Sequence, residues 1–291
     1  MIEFMRMVGP DGRPYVLQKL THPAVYLDTW ALRLFAEGDR DLGVRFRKAL
    51  IHARGTLVLS SLSIGEFAMF DDRRHADAVG VYVDTFYPDL FFAHFDPFRV
   101  ITDEISVMVG QTKETPAGDV DMLIQFAQSA AQAGYPSLSS WFVSMHSARV
   151  DLRTYLDGMG GGFIEGFGQL RARFRDEPGF DKNALRNIKV STRPRATQAL
   201  LRSLVYRLQR DSSLQLDVND ALDVGHGLVA AAYGDFVLLD HRWYLRFTDA
   251  SKFMRRYGIT TRVAEFYSRR DGGVLRFLER LEGWPSKLVA A

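Results

Sequence analysis

The stretch AVYLDTW, residues 24–30, decides the fold class, because an apolar run of strand character ends on a carboxylate, Asp28, and passes at once into a helical pattern. The helical spacing of apolar residues continues to Gly55. TLVLS, residues 56–60, then predicts a short buried strand, and residues 61–79 predict a further helix. Strand, helix, strand and helix in this order indicate an α/β fold, with a parallel sheet flanked by helices.

The same pattern returns near the end of the chain. Residues 217–234, DVNDALDVGHGLVAAAYG, predict a helix that Asp217 caps and Gly234 ends. DFVLLD, residues 235–240, predicts a buried strand that also ends on a carboxylate, Asp240. Residues 258–266 predict a last strand beside it.

The middle of the chain is different, because strand signals are few there and long helical patterns dominate. We therefore expect an α/β part over residues 1–94, an additional all-helical insertion over 95–212, and the second half of the α/β part over 213–291. The insertion contains GMGGG at residues 158–162. This segment follows a helical pattern and lacks the Lys and Ser/Thr of a phosphate-binding loop, so we expect a hinge there.

Composition excludes several kinds of chemistry. The 291 residues include no cysteine, so any metal must be held by Asp, Glu, His or backbone oxygen. No apolar run reaches the roughly eighteen residues of a membrane span, and charges, Gly and Pro interrupt the first fifteen residues. We expect a cytoplasmic protein without a membrane partner.

Positive charge is concentrated in one segment. Residues 171–210 carry eleven Lys or Arg against three acids, an excess of eight charges, whereas the whole chain has a net charge of only +2. Such a segment is typical of a surface that binds the phosphates of nucleic acid, and Arg242 and Arg246 are further candidates for the same role. A solvated helical face is the alternative. Three aromatic residues nearby are candidates for stacking on bases or for core packing: Phe174, Tyr206 and Trp243.

Carboxylates occur on four of the predicted elements. Asp28 and Asp240 end strands, Glu66 lies one turn into a helix, and Asp220 and Asp223 share one face of another helix. The carboxyl ends of parallel strands meet at one edge of the sheet, so these acids are expected to converge. Each also has a structural alternative: an N-cap for Asp28, a capping box of Ser63 with Glu66, another of Asp217 with Asp220, a turn at Asp240, and a hydrogen-bonded buried side chain for His226.

Crowded carboxylates repel one another, and protons or cations must neutralise them. Oxygen ligands alone suit Mg²⁺ or Mn²⁺, which can activate a water molecule for attack on a phosphodiester. The sequence therefore predicts a divalent metal site at this edge.

The motifs VYLDTW, LVLSSLSIGEF, NDALDVGHGLVAAAYGD and FVLLDHRW together resemble the successive acidic motifs of the PIN-domain nuclease family. The resemblance implies a PIN-like parallel sheet and a metal-dependent nuclease that acts mostly on RNA. It also suggests a toxin or defence role, with an antitoxin or homodimer partner. The family's four acids correspond to Asp28, Glu66, Asp223 and Asp240, and Asp220 is a possible extra or substitute third acid.

Two features depart from the family pattern. The long insertion is unusual, and Trp30 stands where the family commonly has Asn, so an aromatic ring there could stack on a base. A catalytically inactive PIN-like protein that binds nucleic acid or acts as a scaffold is the alternative function. A haloacid-dehalogenase-like phosphatase is disfavoured, because it needs a second Asp at the position of Trp30.

Overall fold

The computed structural model describes residues 1–8, 14–111, 116–147, 149–190, 196–211 and 213–285. An antiparallel hairpin of two strands comes first, and five parallel strands form the main sheet. The α/β prediction with a parallel sheet flanked by helices is confirmed at this level. The strands are β1 (Ile2–Val8), β2 (Pro14–Gln18), β3 (Ala24–Leu27), β4 (Thr56–Ser60), β5 (Leu90–Ala93), β6 (Phe236–Leu238) and β7 (Glu265–Tyr267).

Thirteen α-helices surround the sheet in the described ranges, and no helix there is both long enough and apolar enough to cross a membrane. They are α1 (Thr29–Arg33), α2 (Arg40–His52), α3 (Ser61–Ala68), α4 (Arg73–Asp84), α5 (Pro97–Met108), α6 (Val120–Ala133), α7 (Leu138–Ser147), α8 (Arg149–Asp176), α9 (Phe180–Val190), α10 (Ala196–Arg210), α11 (Val218–Tyr233), α12 (His241–Arg256) and α13 (Gly273–Glu282).

The strand order of the main sheet is β5-β4-β3-β6-β7. From β3 the chain moves outward through β4 to β5 and then returns to the other side of β3, where β6 and β7 follow. The direction of winding therefore reverses between β3 and β6, which pair in parallel with Leu27 opposite Leu238. In open parallel sheets, ligands bind at the carboxyl ends of the strands on either side of such a switch point.

Side chains of the sheet alternate between two cores, as the two-residue period of a strand requires. Val25 and Leu27 of β3 face a core formed with α2, α4, α6, α7 and α13, whereas Ala24 and Tyr26 face a second core formed with α10, α11 and α12. Helices α6, α7 and α10 belong to the predicted insertion, so the insertion packs on both faces of the sheet. The boundaries at residues 95 and 212 stay a prediction.

Several local features differ from the sequence prediction. The helix expected up to Gly55 is interrupted: a π-helical turn at Leu34–Gly38 separates α1 from α2, and Asp39 caps the new helix through the amides of Asp41 and Leu42. The hinge expected at residues 158–162 is wrong for the described backbone, because α8 runs through it without a break. Strands β1, β2 and β5 were not predicted from the sequence.

Candidate metal site at the carboxyl edge of the sheet

Asp28 lies at the switch point, directly after β3. Its backbone amide donates to the carbonyl of Leu238 over 3.0 Å, which continues the pairing of β3 with β6 by one residue. Its carboxylate accepts two amide hydrogen bonds, from Thr29 at 2.7 Å through Oδ1 and from Asp240 at 3.2 Å through Oδ2. Asp28 is thus the N-cap of α1, as the structural alternative held, and it also lies at the expected edge.

Asp240 occupies the equivalent place after β6. Its Oδ1 oxygen accepts hydrogen bonds from the amides of Arg242 at 2.6 Å and Trp243 at 3.1 Å, so it caps α12. Because a cap directs its carboxylate to the amino end of the helix, both strand-end acids are placed by backbone geometry.

Glu66 approaches from α3. The N-cap of α3 is Ser60, whose hydroxyl accepts from the amide of Ser63 at 3.1 Å, so the capping box of Ser63 with Glu66 does not form. Glu66 Oε2 instead accepts a hydrogen bond from the hydroxyl of Thr29. Glu66 Oε1 lies 3.3 Å from His226 Nε2, which ties the carboxylate to α11.

Asp223 and His226 lie one turn apart on the face of α11 that meets the acids. His226 is only 3% exposed, and its Nδ1 atom lies 3.0 Å from the hydroxyl of Ser60, which confirms the hydrogen-bonded, buried role. Asp223 is largely buried and lies close to other acids, and it has no hydrogen-bond partner among the described residues. It is therefore the acid with the greatest capacity to accept a ligand.

Asp220 is engaged elsewhere. It completes the capping box with Asp217 at the start of α11, where Asp220 Oδ2 accepts from the amide of Asp217 at 3.1 Å. Its Oδ1 oxygen lies 2.6 Å from the guanidinium of Arg242. The charge of Asp220 is thus neutralised by Arg242, whereas Asp28 and Asp223 have no cation of their own, and we leave Asp220 out of the proposed ligand set.

Electrostatics show that four of the predicted acids act on one another. Burial, followed by the charge of Glu66, raises the pKa of Asp28 to about 7, and Asp240 contributes in the same direction. Burial, followed by the charge of Asp28, raises the pKa of Asp223 to about 8, with further contributions from Glu66 and Asp240. Negative charge is therefore concentrated at this edge beyond what nearby protein cations neutralise.

The histidine balances one of these charges. Burial lowers the pKa of His226, but the carboxylates of Glu66, Asp28 and Asp223 outweigh burial and raise it. Burial likewise works to raise the pKa of Glu66, and the charge and hydrogen bond of His226 reverse this and lower it. Both pKa shifts favour an ion pair between protonated His226 and ionised Glu66. Asp28 and Asp223 then have no cation of their own.

The donor chemistry of the cluster fits a hard divalent cation, since every free donor is a carboxylate oxygen. Within the described ranges, however, no three His, Asp or Glu side chains stand at a spacing that would already hold a metal ion. The acids lie close enough to raise the pKa values of Asp28 and Asp223, but they do not form a ready coordination shell.

Four arginines of the basic segment pair with acids, namely Arg173 with Glu177, Arg175 with Asp176, Arg207 with Asp249 and Arg210 with Asp181. Arg193 and Arg195 lie outside the described residues. Three of the four acids belong to the segment itself, so these pairs hardly reduce its excess of positive charge. Tyr206 and Trp243 are buried in the second core, so they are core residues rather than stacking platforms.

Trp30 also packs against a core rather than standing free. It is partly buried against the first core, and its indole Nε1 is buried without a hydrogen-bond partner.

A cavity of about 1370 Å³ lies next to the acidic edge but does not include it. It is an open cavity lined in part by α5, α6, α8 and α10, and by Leu222 and Val224 of α11. Asp223 and His226 lie on the other face of α11. Cavity size alone would therefore have directed attention away from the acids.

Two contributors to the site were not found by sequence reasoning. Thr29 and Ser60 hold Glu66 and His226 in place, yet a hydroxyl residue at a strand end is too common to be singled out. The position of Thr29 directly after Asp28 is the only sequence signal for its role.

Comparison with known proteins gave no further guidance: no family model matches the chain, no curated protein is significantly similar to it, and no solved structure matches its fold.

Proposed function

We propose that the protein is a Mg²⁺- or Mn²⁺-dependent nuclease of PIN-like architecture that hydrolyses phosphodiester bonds, with RNA as the preferred substrate. The observation that carries the proposal is the gathering of buried carboxyl groups at the switch point, where burial and then the neighbouring acids raise the pKa values of Asp28 and Asp223 to about 7 and about 8. A buried surplus of carboxylate charge is costly to folding, and a divalent cation offsets it.

Each residue has a defined part in this proposal. Asp28, Glu66, Asp223 and Asp240 would hold the cation, which when bound supplies an acidified water and charge neutralisation for a phosphodiester. His226 keeps Glu66 ionised and oriented through the contact of 3.3 Å. Thr29 fixes the second oxygen of Glu66, so the direction of that carboxylate is set before any ligand arrives.

The test is cleavage of end-labelled single-stranded RNA and DNA with Mg²⁺, Mn²⁺ or excess chelator. We expect cleavage with metal, none with chelator, and loss in Asp28→Asn and Asp223→Asn. Asp176→Asn is the matched control, because it removes an exposed carboxylate that pairs with Arg175 on α8. Cleavage that persists in chelator, or that survives both site substitutions, would rule the proposal out.

The alternative function is a catalytically inactive nucleic-acid-binding or scaffold protein. One observation favours it: Asp28 and Asp240 both serve as helix N-caps, and no metal-ready group of acids exists in the described ranges. Salt-dependent RNA binding without cleavage under any metal condition would support this alternative.

A toxin or defence role, with an antitoxin or a second copy as partner, remains part of the proposal. Induced expression of the wild-type chain should then arrest growth, whereas Asp223→Asn should not. If cells that express the wild type and cells that express Asp223→Asn at the same protein level grow equally well, this part of the proposal is ruled out.

A further inference from the structure

Three arginines from two separate parts of the fold meet beside the acidic edge. Arg171 of α8 donates to the carbonyls of Leu214 at 2.6 Å and Asp211 at 2.7 Å. Arg242 of α12 donates to the carbonyl of Gln215 at 3.3 Å, and it pairs with Asp220. Residues 211–215 thus bring a guanidinium of the helical insertion close to the amino end of α12.

Arg246 is the third member, one turn beyond Arg242 on α12. Its guanidinium lies 4.9 Å from the centre of the Trp243 ring, which is itself 1% exposed. It has no ion pair with any described residue, and its Nη1 atom is buried without a hydrogen-bond partner. An unpaired guanidinium nitrogen in a buried position costs free energy unless an anion contacts it.

The surroundings of Arg246 increase this need for an anion. Burial and the charge of Arg242 both lower the pKa of Arg246, although a guanidinium stays protonated at neutral pH. The nearest acids are already in use: Asp220 pairs with Arg242, Asp211 accepts from Ser213, and Asp240 caps α12. The paired arginines of the basic segment contrast with this residue, because each of them has its own carboxylate.

We propose that Arg242 and Arg246 form a phosphate-binding subsite for the backbone of single-stranded nucleic acid, adjacent to the acids at the switch point. Asp220 is a positioning residue in this subsite, since it orients Arg242. Guanidinium groups suit phosphate oxygens because they donate two parallel hydrogen bonds. Arg246 follows Asp240 by six residues, which is roughly 9 Å along a helix axis, so it would contact a phosphate beyond the one at the acids.

The inference rests on the proposed nuclease function for its substrate, but it can be tested without cleavage. The parent protein is Asp223→Asn in excess chelator, and binding of a fluorescein-labelled single-stranded RNA is measured by anisotropy at several salt concentrations. Adding Arg246→Gln should weaken binding about tenfold, the loss expected for one charged hydrogen-bonded contact. It should also reduce the slope of log affinity against log salt by about 0.7.

Two further variants separate charge from folding. Arg246→Lys should keep the salt slope but recover only part of the affinity, because an ammonium group lacks the planar pair of donors. Arg280→Gln is the matched control, since Arg280 is an exposed arginine of α13 that pairs with Glu265. It should bind RNA as the parent does, and thermal melting confirms that each variant is folded.

The outcomes distinguish this inference from the function it rests on. If Arg246→Gln with Arg242→Gln binds RNA as tightly as the parent, or if the parent binds no RNA, the subsite is disproved. Absence of cleavage in the wild type together with arginine-dependent RNA binding would sustain the subsite and reject the nuclease.

Discussion

The backbone amide of Asp240 donates a hydrogen bond of 3.2 Å to the carboxylate of Asp28, although the two residues are 212 positions apart. This bond joins the loops that follow β3 and β6, the two strands at the switch point. Both acids accept amide hydrogen bonds as helix caps, so their places are set whether or not a metal is bound. An Asn at position 240 keeps the one oxygen that accepts both amides, whereas an Asn at position 28 keeps the cap to Thr29 but loses the bond from the amide of Asp240.

Asp28→Asn should therefore separate stability from activity. In chelator at pH 8 we expect its denaturation midpoint to stay close to that of the wild type, because the relieved repulsion with Glu66 offsets the lost hydrogen bond from the amide of Asp240. Cleavage should fall by at least about 100-fold, since a ligand of the proposed metal is lost. Asp28→Ala removes the cap as well and should lose about 1 kcal/mol relative to Asp28→Asn in urea unfolding. Equal midpoints for the two variants would contradict the capping role.

The stability of the metal-free protein should fall as the pH rises from about 5 to about 9. The folded-state pKa values of Asp28 and Asp223, about 7 and about 8, lie above the ordinary 3.8, so the folded state binds more protons than the unfolded state between these values. Their contribution is fully present below pH 3.8 and is lost as the pH passes 7 and 8. Urea unfolding in chelator measures this slope.

The double variant Asp28→Asn, Asp223→Asn supplies the control for the pH series, and its pH dependence should be flatter over the same range. Added Mg²⁺ should stabilise the wild type more at pH 8.5 than at pH 6, because protonated carboxylates do not bind metal. If the wild type and the double variant show the same slope, the electrostatic account of the site is wrong.

Substitution of Asp220 and substitution of Asp223 should have very different effects on Mg²⁺ affinity, although the two residues are only three positions apart on α11. Asp223→Asn should weaken Mg²⁺ binding by about 10- to 100-fold or more, whereas Asp220→Asn should leave it within a few-fold of wild type. The reason is that Arg242 already neutralises the charge of Asp220, whereas no cation pairs with Asp223 among the described residues. Titration calorimetry with Mg²⁺ or Mn²⁺ measures the two affinities. A larger loss in Asp220→Asn would reverse the assignment of the third acid.

Asp235, at the opposite edge of the sheet, should govern stability rather than catalysis. Its side chain is 1% exposed and accepts hydrogen bonds from the amide of Ala24 at 2.7 Å, from His22 at 2.5 Å and from Arg262. Asp235→Ala leaves the buried amide of Ala24 without its acceptor, whereas water can solvate the partly exposed His22 and Arg262, and should cost about 1–3 kcal/mol in urea unfolding. Arg280→Ala, which breaks an exposed pair, should change the free energy of unfolding far less. If Asp235→Ala and Arg280→Ala lower the free energy of unfolding by similar amounts, the proposed stabilising role of Asp235 is wrong.

Some elements of the fold could be predicted from local sequence patterns, and others could not. The apolar runs before Asp28 and Asp240 predicted two strands that the structure pairs in parallel, because a buried strand needs a continuous apolar segment. The break at Asp39 was missed, since the apolar spacing continues across it and only the cap geometry ends one helix and begins the next. The net charge of residues 171–210 follows from the sequence, but which arginines have an acid beside them does not, because pairing depends on the fold.

The chain by itself determined the α/β class, the strand ends on which Asp28 and Asp240 stand, and the helix that carries Asp220 and Asp223, since these follow from local periodicity and caps. Tertiary structure alone decided that the winding reverses between β3 and β6, that Asp220 turns to Arg242 while Asp223 stays free, and that Arg246 lacks a partner. The physical reason is that burial and charge interactions depend on distances between residues far apart in the chain, which no local pattern encodes.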